Sequence, residues 1–262
     1  MTVWQALVLG LVQGLTEFLP VSSSAHLIFV SDLMRIPPPP LAFDVLLHLG
    51  TLLAVAGYFR RDLLRLVRDS WHGTGGARRT VCLLAVGTIP AGVLGLMAHD
   101  LIERLFASPA ATAWQLAVTG ALLFATDALR GKGRGFETLT LAESTFIGLG
   151  QALAIVPGIS RSGATISFGV WRGLSRTEAA RFSFLLSIPA ILGAGLVEAR
   201  SITSLSAEGV GLAFIVGFFA ALVSGAASIA LLLRYLRDGR LRPFAVYCWL
   251  AAAVFLIYLV AR

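Results

Sequence analysis

Six long apolar stretches, near residues 42–59, 80–98, 112–130, 182–197, 211–233 and 244–261, punctuate the chain. Each predicts a helix able to cross a hydrocarbon core of ~30 Å, the fourth only marginally. Two further apolar stretches, near 5–34 and 144–172, are interrupted by Pro, Gly and clusters of Ser. They predict helix–loop–helix segments that enter the membrane and turn back. Non-helical backbone at that depth is tolerated only where protein buries it or it lines a wet cavity.

The two interrupted stretches resemble each other. Gln13, Ser22 and Ser24 recur at the same spacing as Gln151, Ser160 and Ser162, with Leu15 matched by Leu153. Downstream, Phe43, Leu46 and Leu47 recur as Phe182, Leu185 and Leu186. The pattern predicts an all-α polytopic membrane protein of two pseudo-repeats, about 1–131 and 144–262. Each repeat holds one re-entrant segment and three transmembrane helices. Three is odd, so the second half enters the membrane upside down, and an inverted repeat of this kind places its functional site where the halves meet. With only Pro37 to Pro40 as a stiff turn, residues 1–262 read as a single membrane domain.

Composition agrees: 57% of residues are hydrophobic and 13% are charged, about half the charge of a soluble domain. The net charge of +7 lies in short gaps between apolar stretches rather than on a nucleic-acid-binding face. Arg60, Arg61, Arg65, Arg68, Arg78 and Arg79 follow the first crossing, and Arg130, Lys132 and Arg134 the third. Arg172, Arg176 and Arg181 follow the second re-entrant segment, and Arg234, Arg237, Arg240 and Arg242 the fifth crossing. The inverted layout puts these 16 of the 21 basic residues on one side, while the connections on the opposite side carry Arg35, Arg104 and Arg200. By the positive-inside rule the basic side is cytoplasmic, so both chain ends and the first re-entrant mouth face outward. Cys82 and Cys248 read as packing residues, and the N-terminal stretch, lacking a basic start and interrupted by Glu17, is not read as a removable signal peptide.

An ionisable group at membrane depth costs several kcal/mol unless paired or hydrated, so it points to function. The first re-entrant segment carries Gln13, Glu17, Ser22, Ser23, Ser24 and His26; the second carries Arg161 among Ser160, Ser162, Gly163 and Thr165. One side offers a carboxylate, hydroxyls and an imidazole. The other offers a guanidinium in a Gly/Ser turn that opens a helix, which is what a phosphate group needs. Glu17 can hold a divalent cation or orient a base, and Ser23 or a water can attack phosphorus with His26 moving the proton. Competing readings make the hydroxyls helix-contact residues, His26 an interface residue and Glu17–Arg161 a structural ion pair. His48, His72 and His99 read as loop or packing residues, and no motif supports Asp44 or Asp127. Gly87, Gly92, Gly95, Gly217 and Gly225 read as close-packing positions, and Trp4, Trp114 and Trp249 as interface anchors.

QGLTEFLPVSSSAH, from Gln13 to His26, and PGISRSGAT, from Pro157 to Thr165, resemble the two signature segments of the undecaprenyl-diphosphatase, or bacitracin-resistance (BacA/UppP), family. FDVLLHLGTLLAV and SRTEAARFSFLLSIPA extend the likeness along the chain. The resemblance implies a multi-pass enzyme of the bacterial cytoplasmic (inner) membrane that hydrolyses undecaprenyl diphosphate to the monophosphate, recycling the carrier for peptidoglycan synthesis. It implies dependence on Mg²⁺ or Ca²⁺, a site opening toward the outer face, and no nucleic-acid partner; a homodimer is an open expectation. It carries over Glu17 as acidic residue and metal ligand, Ser23 as nucleophile, His26 as proton-transfer group and Arg161 as diphosphate anchor. Gln13, Ser22, Ser24, Ser160, Ser162, Gly163 and Thr165 line the substrate in that reading. Gln13 stands where many members have a second Glu, and Ala25 where Gly is common. The alternative function is a polyprenyl-phosphate flippase of the same fold, which would release no phosphate. A type 2 phosphatidic acid phosphatase is excluded, because Ser160-Arg161 has no following His.

Overall fold

The computed structural model describes residues 1–36, 41–73, 75–97, 108–129, 133–197 and 211–261. Pro37 to Pro40, His99, Arg104, Arg130, Lys132 and Arg200 lie outside the described residues. The described chain is helical throughout apart from turns and one isolated bridge between Arg134 and Leu174.

The first half contains α1 (Val3–Phe18), α2 (Ser23–Leu33), α3 (Leu41–Tyr58), α4 (Arg60–Trp71), α5 (Gly75–Met97) and α6 (Pro109–Asp127). The second contains α7 (Leu141–Leu153), α8 (Arg161–Trp171), α9 (Arg176–Val197), α10 (Leu212–Tyr235) and α11 (Arg242–Ala261). Helices α5, α9, α10 and α11 are long and apolar enough to cross a membrane, and the bent pair α3–α4 would make a fifth span. The marginal fourth stretch becomes a full-length helix because α9 begins at Arg176. Helix α6 has 19 residues but falls short of the same apolar measure, and it packs lengthwise on α11.

Local chemistry sets the breaks. Thr2 opens α1 through a capping box with Gln5, and Thr140 opens α7 through the same box with Glu143. Helix α1 stops because Leu19 must be extended before Pro20. Ser22, Ser108 and Ser160 cap α2, α6 and α8.

The packing exchanges the halves. Helix α1 lies against α10 while α7, its counterpart, lies against α5; α3 meets α10 as α9 meets α5; α6 and α11 pair with each other. Glycine makes both close crossings possible. A Cβ on Gly10 would collide with the Gly217 carbonyl, and one on Gly148 with the Gly87 carbonyl. Ser228 Oγ donates to Gly14 O across the first contact (2.9 Å), and Ser144 Oγ to Leu83 O across the second (2.6 Å). These are the small-residue contacts and hydroxyl bridges that hold helices together where lipid removes the hydrophobic drive.

Some sequence expectations need correction. The segment after the first crossing is a helix, α4, turned 72° from α3 rather than a loop. Among the described residues nothing approaches Gly92 closely enough to need a glycine. Cys82 is exposed, whereas Cys248 is buried and donates to Pro20 O at 3.7 Å. Asp127, which no motif supported, ties α6 to the second half: its carboxylate pairs with Arg176 at 3.1 Å and accepts from Leu241 N at 2.7 Å.

Candidate active site

The two helix breaks meet. Ser24 Oγ accepts from Gly158 N of the second turn (3.2 Å), and Ser162 Oγ donates to Leu19 O of the first (2.9 Å). Within each turn two hydroxyls touch, Ser22 with Ser24 and Ser160 with Ser162, both at 3.1 Å. Thr119 of α6 braces the second turn, accepting from Ser160 N and donating to Gly158 O, each at 3.0 Å.

Glu17, at the end of α1 and 8% exposed, sits at the centre. Its Oε1 accepts from Arg161 Nη2 at 2.9 Å, and its Oε2 accepts from Ser23 Oγ at 2.6 Å and Gln13 Nε2 at 3.1 Å. Gln13 reaches it because the two are four apart on one helix face. Arg161, the first residue of α8, is fixed at its other nitrogen, where Nη1 donates to Ser183 O of α9 at 3.2 Å. Thr165 locks that region, donating to Arg161 O (2.8 Å) and meeting Ser183 Oγ at 2.6 Å. The buried Glu17 carboxylate and the partly buried Arg161 guanidinium neutralise each other, and removing either leaves an uncompensated charge costing about 3–5 kcal/mol.

Helix geometry aims the serine. Ser22 has φ +67°, in the region that side chains with a Cβ rarely occupy. That turn brings Ser23, the first residue of α2, back onto Glu17. Strain of this kind, of order 1–3 kcal/mol, persists only where the surroundings enforce it.

Of the residues singled out from the sequence, Gln13, Glu17, Ser23 and Arg161 form one connected group. Ser22, Ser24, Ser160, Ser162, Gly163 and Thr165 surround it, but their polar groups bond protein: Gly163 N, for instance, donates to Ser160 Oγ at 3.0 Å. Those bonds build the two turns around the Glu17–Arg161 pair. His26 stands apart, with Nδ1 at 2.8 Å from Ser22 O and Nε2 at 2.8 Å from the Tyr247 hydroxyl on α11. Its ring stacks on that of Tyr247.

Sequence reasoning missed three participants. His48, read as a packing residue, brings Nε2 to 3.9 Å from Glu17 Oε2 while Nδ1 contacts Asp44 O at 2.8 Å. Ser183 holds Arg161, and Tyr247 holds His26. A signal existed: the spacing that matches Phe43 with Phe182 matches Asp44 with Ser183 and His48 with Ser187. Polar pairs four apart, at matched positions of both halves, mark faces turned toward a shared polar interior.

Among the described residues no three His, Cys, Asp or Glu side chains cluster as a metal cage. Gln13 Oε1 is nevertheless buried without a partner beside the Glu17 carboxylate. One carboxylate and one amide oxygen suit a Mg²⁺-type ion, which usually takes one or two protein oxygens and fills its shell with substrate phosphates and water.

The family model described as "Bacitracin resistance protein BacA" matches residues 6–254. The chain is 42% identical to an undecaprenyl-diphosphatase of Carboxydothermus hydrogenoformans, over 98% of this chain and 97% of that one. It is 44% identical to one from Gemmatimonas aurantiaca over the full length of both. A third, from Moorella thermoacetica, is 45% identical over 97% of each. Two helix breaks joined through Glu17 and Arg161, in a chain matched over nearly its whole length, therefore belong to a member of the BacA bacitracin-resistance family.

Proposed function

We infer that the chain is an undecaprenyl-diphosphatase, converting the lipid diphosphate to undecaprenyl phosphate and inorganic phosphate. One geometric observation carries the chemistry: Ser23 Oγ donates to Glu17 at 2.6 Å while the same carboxylate is paired with Arg161 at 2.9 Å. Nucleophile, base and anion-binding group are thus in register across the two turns.

In the proposed reaction the diphosphate competes with Glu17 for the Arg161 guanidinium, whose planar fork suits phosphate oxygens. Glu17, which already accepts from the Ser23 hydroxyl at 2.6 Å, takes the Ser23 proton. Ser23 Oγ, or a water in its place, attacks the terminal phosphorus; the P–O bond to the prenyl monophosphate breaks, and the leaving oxygen keeps the electron pair. If Ser23 attacks, water then cleaves the phosphoserine. The geometry favours Glu17 over His26 as proton acceptor, because His26 faces Tyr247. A divalent cation held by Glu17 and Gln13 Oε1 would supply charge neutralisation at the diphosphate. Positioning and charge supply most of the rate in phosphoryl transfer.

The basic loops support placement in the bacterial cytoplasmic membrane with the Ser23 turn opening outward. An impermeant thiol reagent should label Ser23→Cys in intact cells, and labelling only after lysis would reverse the orientation. Gln13, Glu17, Ser23 and Arg161 come from one chain, so the chemistry does not require a homodimer.

The decisive assay is phosphate release from undecaprenyl diphosphate by the purified protein in detergent, with Mg²⁺, Ca²⁺ or chelator. Release that needs a divalent cation and disappears in Glu17→Ala and Arg161→Ala is the expected result. No release from well-folded protein overturns the enzyme reading and leaves lipid flipping, assayed in liposomes, as the function.

A further inference from the structure

Helix α4 is built differently from every crossing helix. Twelve residues, RRDLLRLVRDSW, follow a 72° bend at Phe59, and none of them is buried. Four Arg and two Asp in so short a segment bar it from the hydrocarbon core.

Its surface divides into three faces. Leu63 and Leu66 are half-buried and face Val81 and Leu84 of α5 across a groove of ≈ 410 Å³, whose outer edge Val67 and Trp71 share with the exposed apolar face. Leu64, Val67 and Trp71 are 69%, 72% and 85% exposed, and at about 100° per residue they share an arc of about 60°, which the exposed Arg60 heads at the α3 bend, its Nη1 donating to Gly57 O at 3.5 Å. Arg61, Arg65 and Arg68 are exposed and occupy a similar arc, centred roughly a quarter-turn away, with Arg68 donating through Nε to Asp69 at 2.9 Å. A helix with protein, apolar and cationic faces in that order fits the boundary between acyl chains and headgroups. Trp71 at its end is the residue type enriched at that depth.

We propose that α4 is an interfacial helix that seats in the membrane surface and recruits anionic phospholipid through Arg61, Arg65 and Arg68. Charge complementarity selects this occupant over a second copy of the chain: the apolar arc is narrow and flanked by cations that another positively charged protomer would repel. Continuity with α3 selects it as well, because the bend falls where α3, at about 1.5 Å per residue, has nearly traversed the core. The consequence is a preference for anionic headgroups at the foot of α3, the helix that also carries Asp44 and His48.

The test uses the full chain in lipid vesicles and the fluorescence difference between wild type and Trp71→Phe, which isolates one of five tryptophans. Lipids brominated near the headgroup end of the acyl chain should quench that difference signal more than lipids brominated near the chain end. Brominated phosphatidylglycerol should quench it several-fold more effectively than brominated phosphatidylcholine. Arg61→Gln/Arg65→Gln/Arg68→Gln should erase the selectivity while the remaining tryptophans report an intact fold. Quenching by aqueous iodide instead, equal quenching by both lipids, or protection from every quencher, as in a dimer contact, each overturns the proposal.

Discussion

The two re-entrant turns share a frame and differ in charge and strain. The spacing that pairs Gln13 with Gln151 also pairs Thr2 with Thr140, Gly10 with Gly148, Ser22 with Ser160 and Ser24 with Ser162. Capping boxes, glycine crossings and serine pairs therefore recur in both halves. The same spacing sets Glu17 against Ile155, Ser23 against Arg161 and His26 against Ala164. The first turn holds a carboxylate and a hydroxyl, the second a single cation, and the pair forms where they meet. Strain differs too: the first turn has Ser22 at φ +67°, whereas in the second Ser160 is at φ −69° and Gly158 takes the positive φ of +94°. Symmetry supplies the scaffold, and its loss at a few positions supplies the charged pair of the proposed site.

The strongest way to break the comparison is to remove the charges. Arg161→Ala and Glu17→Ala should each lower phosphate release by about 10³-fold, the scale of losing a transition-state charge partner. Either single change should also destabilise the fold by about 3–5 kcal/mol. The double replacement Glu17→Leu/Arg161→Met should recover most of that stability and none of the activity, read by thermal unfolding in detergent beside the phosphate assay. A double variant no more stable than the singles would show that the pair's worth is not electrostatic.

Next come the glycines that the halves hold in common. Gly10→Ala and Gly148→Ala should each cost about 1–3 kcal/mol by forcing α1 from α10 or α7 from α5. Similar losses of melting stability are expected, and tolerance at one position alone would show that the crossings are not equivalent.

Smaller still is the difference in strain. Ser22→Gly should leave stability unchanged or raise it by up to about 1 kcal/mol, since relief of the positive φ offsets the lost cap. Ser160→Gly should destabilise by about 1 kcal/mol, having a bonded cap and no strain to relieve. Equal effects would remove strain from the account of the first turn.

The smallest effect is expected at His26. Tyr247→Phe removes its partner and should change the rate by no more than about tenfold, the worth of one hydrogen bond. A loss on the scale of Arg161→Ala would restore His26 as the proton-transfer group.

Much of this was legible without coordinates. Apolar runs bounded by Arg clusters placed the crossing helices to within about six residues at each end, because lipid demands length and apolarity together. Glu17 and Arg161 stood out because charge at membrane depth needs a reason. Helix α4 was hidden, because its charged composition reads as a loop until the period of its apolar residues is followed.

What the sequence determined by itself is local: where each helix stops, which residues cap it, and which polar types enter the membrane. Pro20, Gly158 and the Ser caps act within a few residues, so their effects can be read in order along the chain. Which polar groups touch was decided only by the tertiary structure. His48 joins Glu17 because α3 passes that end of α1, and His26 leaves Ser23 for Tyr247, more than two hundred residues away, because α11 lies beside α2. Hydrogen bonds reach about 3 Å, so a contact between distant segments depends on how rigid helices are stacked. That stacking is set by glycine crossings and exchanged halves, which no single stretch of sequence contains.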